Sequence, residues 1–158
     1  MTKNEFAGQR VLVTGASSGI GAATARLLGF SGAWVAVHYY RHAAEAESLA
    51  NEIRATGKRA ELFQADLTNR LARASLIPNV LNAIGGLDAL VNNAGTPQGN
   101  GNFAELTELD WDRTLALNAE APFFLSQTAF KHMRAHDGGR IINVSSVGAK
   151  YGGSPQTV

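Results

Sequence analysis

Val11-Leu12-Val13-Thr14-Gly15-Ala16-Ser17-Ser18-Gly19-Ile20-Gly21 is the stretch on which the fold turns: an apolar run, a glycine-rich turn, and then Ala22-Ala23-Thr24-Ala25-Arg26-Leu27-Leu28, which suits a helix. The apolar run has the character of a strand covered on both faces, as in a parallel sheet. Each glycine has its own reason to lack a side chain. Gly15 lets the chain turn sharply, Gly19 lets backbone approach a phosphate, and Gly21 lets the helix pack close to the strand. The turn delivers N–H groups and the positive end of a helix dipole to one point, where an anion such as a pyrophosphate belongs. Ser17 and Ser18 add hydroxyl donors, or are simply small polar loop residues.

Working outward, strand and helix alternate. Strands are expected over Arg10–Thr14, Ala33–His38, Arg59–Gln64, Leu87–Val91 and Arg140–Ser145. Helices are expected over Ile20–Phe30, Arg41–Thr56 and Asn69–Ile84, the last despite Pro78, and from a Thr107/Asp110 capping pair to about His136. Ser31-Gly32, Gly57, Gly85-Gly86 and Gly138-Gly139 punctuate these elements, and Thr96–Asn102 reads as a polar loop. Strict alternation predicts an α/β fold: a doubly wound parallel sheet in three α/β/α layers, with strand order 3-2-1-4-5. Its switch point lies between the first and fourth strands, so a ligand is expected between Thr14-Gly15 and Asn92-Asn93-Ala94-Gly95. The turn and the topology thus name the same crevice.

The 158 residues form one domain's worth of chain, and a hydrophobic fraction of 45% suffices for a core. A net charge of +1 provides no global field for nucleic acid or an anionic membrane. There is no cysteine, hence no disulfide framework or thiolate metal site, which fits a reducing compartment. The opening MTKNEFAGQR has no apolar core, and no later stretch is long and apolar enough to span a bilayer. The expectation is a soluble, cytoplasmic protein whose binding is local and whose site holds no metal.

In combination, TGASSGIG, the ADL ending strand three, NNAG ending strand four, the asparagine within LALNAEAPF and the final GRIINVSS resemble the short-chain dehydrogenase/reductase family over essentially the whole chain. The resemblance implies a Rossmann-type fold that passes hydride between a nicotinamide cofactor and a carbonyl or alcohol substrate. It assigns Gly15, Ser17, Ile20 and Gly21 to the cofactor's phosphates, Asp66 and Leu67 to its adenine, and Asn93, Ala94 and Gly95 to its adenosine ribose; the turn's own chemistry already placed Ser18 and Gly19 at the phosphates. Taken alone, Asp66 reads as a helix cap and Asn92-Asn93 as a turn. The VAVHYYRHAAEAE segment looks like that of bacterial ketoreductases and pteridine reductases.

Cofactor choice is expected to be made after strand two, at His38-Tyr39-Tyr40-Arg41-His42-Ala43-Ala44-Glu45. An acidic side chain there would hold a ribose 2′-hydroxyl, whereas a guanidinium binds a 2′-phosphate bidentately. No carboxylate stands at the strand end and Arg41 does, so Tyr39 and Arg41 join the cofactor site and the expected cofactor is NADP rather than NAD. The alternative for Arg41 is a solvated residue at a helix start.

Two catalytic residues are expected. Pro122 has no N–H to offer the carbonyl of Asn118 four residues earlier, so that carbonyl loses its normal helical partner. By resemblance, the matching asparagine breaks its helix and holds a water that connects to a catalytic lysine. Ser146, before Val147-Gly148, matches the family's serine, whose hydroxyl stabilises charge on the substrate oxygen; Ser145 is its neighbour. The family's tyrosine, with a lysine four residues on, lies about a dozen residues past the serine, at or beyond Val158. Tyr151 is too near the serine and is followed at that interval by Pro155, so Ala149–Pro155 reads as the loop before a missing helix. With no Tyr-x-x-x-Lys, and with strand five an uncovered apolar edge, these residues read as a single dinucleotide-binding domain incomplete at its carboxyl end. The complete protein is expected to be a dimer or tetramer. A non-catalytic dinucleotide-binding or sensor module stays open beside the enzyme, as does a purely structural fragment.

Overall fold

The computed structural model describes residues 4–95 and 102–148. Five strands, β1 (Arg10–Val13), β2 (Trp34–Tyr39), β3 (Ala60–Gln64), β4 (Ala89–Asn92) and β5 (Arg140–Asn143), form one sheet of order β3-β2-β1-β4-β5 with every pairing parallel. Between them run α1 (Gly19–Phe30), α2 (Ala43–Ala55), α3 (Arg70–Ile84) and a final helical stretch of α4 (Glu108–Leu115), a π-turn (Ala116–Glu120) and α5 (Ala121–Ala135). This is the three-layer, doubly wound architecture expected from the alternation.

The two faces of the sheet carry separate cores. Val11, Val13, Val35 and Val37 point one way and pack with Ala25 of α1 and Ala46, Leu49, Ala50 and Ile53 of α2. Leu12, Ala36 and Leu90 point the other way and meet Leu76, Ile77 and Val80 of α3 and Leu125, Ala129 and Met133 of α5. Alternate residues of each strand therefore serve opposite layers, which is why the strands read as continuous apolar runs.

Local chemistry fixes the helix ends. The Asn69 side chain accepts from the amides of Leu71 and Ala72 at 3.0 and 3.1 Å and so caps α3, and Gly85 closes that helix at φ 76°. Thr107 and Asp110 form the expected reciprocal capping box. Pro78 leaves α3 continuous, because buried Leu76, Ile77, Val80 and Ile84 on either side of it hold the helix against the sheet. The helix expected from Thr107 to His136 is instead interrupted: the N–H of Ala121 bonds the carbonyl of Ala116, five residues back, so the ladder widens to π just before Pro122. Pro122 removes one i→i−4 donor at that point, and π-turns of this kind concentrate at functional sites. The expected loop residues Thr96–Gly101, together with Ala149–Pro155 and Tyr151 within it, lie outside the described residues.

Candidate active site

The glycine turn is held by its neighbours before any ligand is considered. Gly15 has φ 64°, and a Cβ on it would come 2.9 Å from the Cα of Ala94. At Gly21 a Cβ would overlap the Gly15 carbonyl oxygen and the Asn93 side-chain amide. Gly19 is different: its φ is 55°, yet a Cβ there would meet nothing within 4 Å. Gly15 and Gly21 are thus required by close packing, and Gly19 by a left-handed backbone facing open space.

Thr14 and Asn93 lock this turn to the end of β4. The Thr14 hydroxyl accepts from the amides of Asn93 and Ala94, both at 3.0 Å, and the Asn93 side chain donates to the carbonyls of Thr14 at 2.9 Å and Gly15 at 3.2 Å. One further bond enters from β2, where the Gly15 amide donates to His38 Nδ1 at 3.1 Å while the Ala16 amide donates to the His38 carbonyl at 2.8 Å. The first two amides of the turn are therefore committed to the protein. The amides that open α1, beginning at Gly19, are the ones a helix cannot satisfy itself, and the N-cap Ser18 makes no side-chain capping bond.

A cavity of about 1360 Å³ runs from this turn along the carboxyl ends of β4 and β5. Of the residues expected from sequence, Gly15, Ser18, Gly19, Ile20, Asn93, Ala94, Gly95, Asn118 and Ser146 line it together. Asn118 comes from the π-turn, and its Oδ1 lies 3.2 Å from the position a Cβ would take on Gly95. Ser146 is exposed, and its Oγ accepts from the Gly148 amide at 3.1 Å, an arrangement that leaves its own hydrogen for donation.

The remaining expected residues border other space. Ser17, half-buried, and Gly21, buried, are not among the residues lining the cavity, while Tyr39 packs against the α1/α2 core at the end of β2. Arg41 is exposed, its guanidinium 5.2 Å over the Tyr40 ring. Asp66 Oδ1 accepts from the Thr68 amide at 2.9 Å and hydroxyl at 2.7 Å, and the Leu67 side chain is buried in the α3/α5 core. Burial pushes the Asp66 carboxyl up, but the Thr68 bonds, Tyr40 and the charge of Arg41 outweigh it and hold the group below the usual range. Among the described residues, no group of three or more His, Cys, Asp or Glu side chains could hold a metal ion.

Known proteins resemble this chain in sequence and in fold. The model of the short chain dehydrogenase family matches residues 9–158. The chain belongs to that family. Hydroxynaphthalene reductase-like protein Arp2 of Metarhizium brunneum is 40% identical to this chain over 158 residues, covering 98% of it and 57% of the relative. Among solved structures, a short chain dehydrogenase from Burkholderia cenocepacia in complex with NADP has a TM-score of 0.89 at 40% identity, covering 96% of this chain and 60% of that one. The landomycin C-6 ketoreductase LanV, with bound NADP and rabelomycin, has a TM-score of 0.82 at 43% identity, covering 96% and 62%. The chain thus spans about three fifths of the length of the relatives it matches.

Sequence reasoning did not anticipate the burial of three polar residues. His38 is 2% exposed and Asn92 is 6% exposed, with the Asn92 side chain donating to Ser126 Oγ at 3.0 Å and Asn143 Oδ1 at 2.8 Å. Arg73, 5% exposed on α3, donates to the Leu67 carbonyl and to Glu120 of the π-turn, both at 3.2 Å, with its guanidinium 5.1 Å over the Phe124 ring. That one cation ties the end of β3 to the segment carrying Asn118. A charged residue within an otherwise apolar helix face was the available signal.

Proposed function

We propose that this chain forms the dinucleotide-binding part of an NADP-dependent short-chain oxidoreductase acting on a carbonyl or alcohol substrate. One observation carries the reading: the glycine turn, the Asn93–Gly95 strand end, the π-turn residue Asn118 and Ser146 all open onto one groove. A diphosphate fits the turn on the chain's own geometry. The opening amides of α1, the uncommitted cap hydroxyl of Ser18 and the open side of Gly19 converge there.

Bound in this groove, a nicotinamide would supply or accept the hydride. Ser146 would donate its hydroxyl hydrogen to the substrate oxygen and stabilise the charge that grows on it. Asn118 would hold a water on the proton path, and Asn93, Ala94 and Gly95 would flank the adenosine ribose. Asp66 and Leu67 would border the adenine. No tyrosine is among the described residues that line the groove, so the proton donor of the reaction is not assigned to them.

NADP is favoured over NAD by the end of β2. Arg41 forms no ion pair among the described residues, and the nearest carboxylate in sequence, Glu45, lies 3.7 Å from His42. A 2′-phosphate would find an exposed guanidinium there. The NADP held by the Burkholderia and LanV proteins supports the same choice. Titration of the protein with NADPH and with NADH, followed by cofactor fluorescence, tests both statements. The expected result is NADPH binding about tenfold tighter or more, as one charge-assisted bond provides. Preference for NADH would overturn the choice of NADP, and binding of neither would overturn the oxidoreductase reading.

A further inference from the structure

β1 and β3 never touch as strands, since β2 lies between them. Beyond the last rung of the sheet one side chain nevertheless spans both. The imidazole of His38 accepts the Gly15 N–H at Nδ1, 3.1 Å away, and its Nε2 lies 3.1 Å from the Ala65 carbonyl oxygen. An amide can only donate and a carbonyl can only accept, so the two contacts together fix the Nε2–H tautomer. Burial lowers the His38 pKa to about 4 against the opposing effect of the Ala65 bond, so the ring is neutral over the working range. A proton on Nδ1 would face the Gly15 N–H donor to donor.

What this bridge joins gives it meaning. Gly15 begins the turn read as the phosphate cradle, and Ala65 precedes Asp66 at the edge read as the adenine wall. We propose that His38 is a positioning residue for the dinucleotide, a side-chain strut that sets the spacing between the phosphate turn and the adenine wall so that both halves of the cofactor are gripped together. The inference rests on the cofactor reading above and deepens it. A strut acts only on a ligand that touches both ends. A histidine that merely fills the core would, when lost, lower stability and weaken short and long ligands alike.

The test therefore compares two probes on the full protein: NADPH, which spans both ends, and adenosine 2′-monophosphate, which carries no 5′-phosphate and so reaches only the adenine side. With His38→Leu both bonds go, and the expected result is about tenfold weaker NADPH binding with adenosine 2′-monophosphate changed by less than about threefold. His38→Asn keeps an acceptor near Gly15 and His38→Gln keeps a donor toward Ala65; each is expected to fall between the wild type and His38→Leu for NADPH. These two carry the test if the leucine variant does not fold. Equal losses for both probes, or unchanged NADPH affinity in a folded variant, would overturn the strut. If the unaltered protein binds neither NADPH nor NADH, the cofactor reading itself fails and the strut falls with it.

Discussion

β2 and β5 are both short, parallel and rich in β-branched residues, yet they live differently. β2 has a strand on each side and helices over both faces, and its four central residues, Val35 to His38, are buried. Among the described residues β5 pairs with β4 alone; Ile142 is 42% exposed, and Val144 just beyond it 39%. Burial is thus a property of a strand's place in the sheet more than of its composition. The same division runs through the site. Its glycine turn and the ends of β1, β2 and β3 are cross-braced by buried hydrogen bonds, whereas Ser146 follows the bare edge strand and is exposed.

Substitutions can sharpen or break that contrast. The largest effect is expected at Gly21 on the braced side, where Gly21→Val would force atoms into the Gly15 carbonyl and the Asn93 amide. A loss of about 3 kcal/mol is expected by denaturant melt, together with loss of NADPH binding. A stable, binding-competent variant would mean that the turn is looser than its contacts imply.

Acid should find the braced side next. His38 has a folded pKa of about 4 against an ordinary 6.5, so the unfolded chain takes up its proton first as pH falls. The contribution is fully present above pH 6.5 and is lost progressively between pH 6.5 and 4, amounting to about 3 kcal/mol. Stability measured across that window should fall less in His38→Asn than in the wild type, and parallel curves would refute the assignment.

Arg73→Met would strip the Leu67 carbonyl and Glu120 of their shared donor. Glu120 is partly solvated, so the cost should be about 2 kcal/mol, below that of breaking a fully buried pair. Hydrogen exchange should rise first at the π-turn, Ala116–Glu120; uniform acceleration along the chain would argue against a local brace. Arg41→Ala, at an exposed site, should leave the melting temperature unchanged and erase about tenfold of the preference for NADPH over NADH. The smallest effect belongs to the bare edge: Ile142→Lys should change stability by less than about 0.5 kcal/mol, and light scattering should report less self-association. A cost as large as that of a buried valine would show that the edge is covered.

Much of this was legible in the sequence because it is local. The order of elements, the strand order and the glycine turn rest on apolar periodicity and on residues within a dozen positions of one another, and the Thr107/Asp110 box and the Asn69 cap lie within three. Pro122 marked where the long helix changes, although an irregularity read as a freed carbonyl takes form as a widened π-turn between two helices. The position of Asn118 could be anticipated from that local rule.

What the sequence by itself determined is the path of the chain: hydrophobic period and turn chemistry need only near neighbours to act. The braces were decided by the tertiary structure alone. His38 meets Gly15 across 23 positions and Ala65 across 27, Arg73 meets Glu120 across 47, and Asn92 meets Asn143 across 51. No periodicity encodes such pairings, because a buried polar group takes whichever partner the packed layers bring within hydrogen-bonding distance, and the cost of leaving it unpaired makes that partner obligatory.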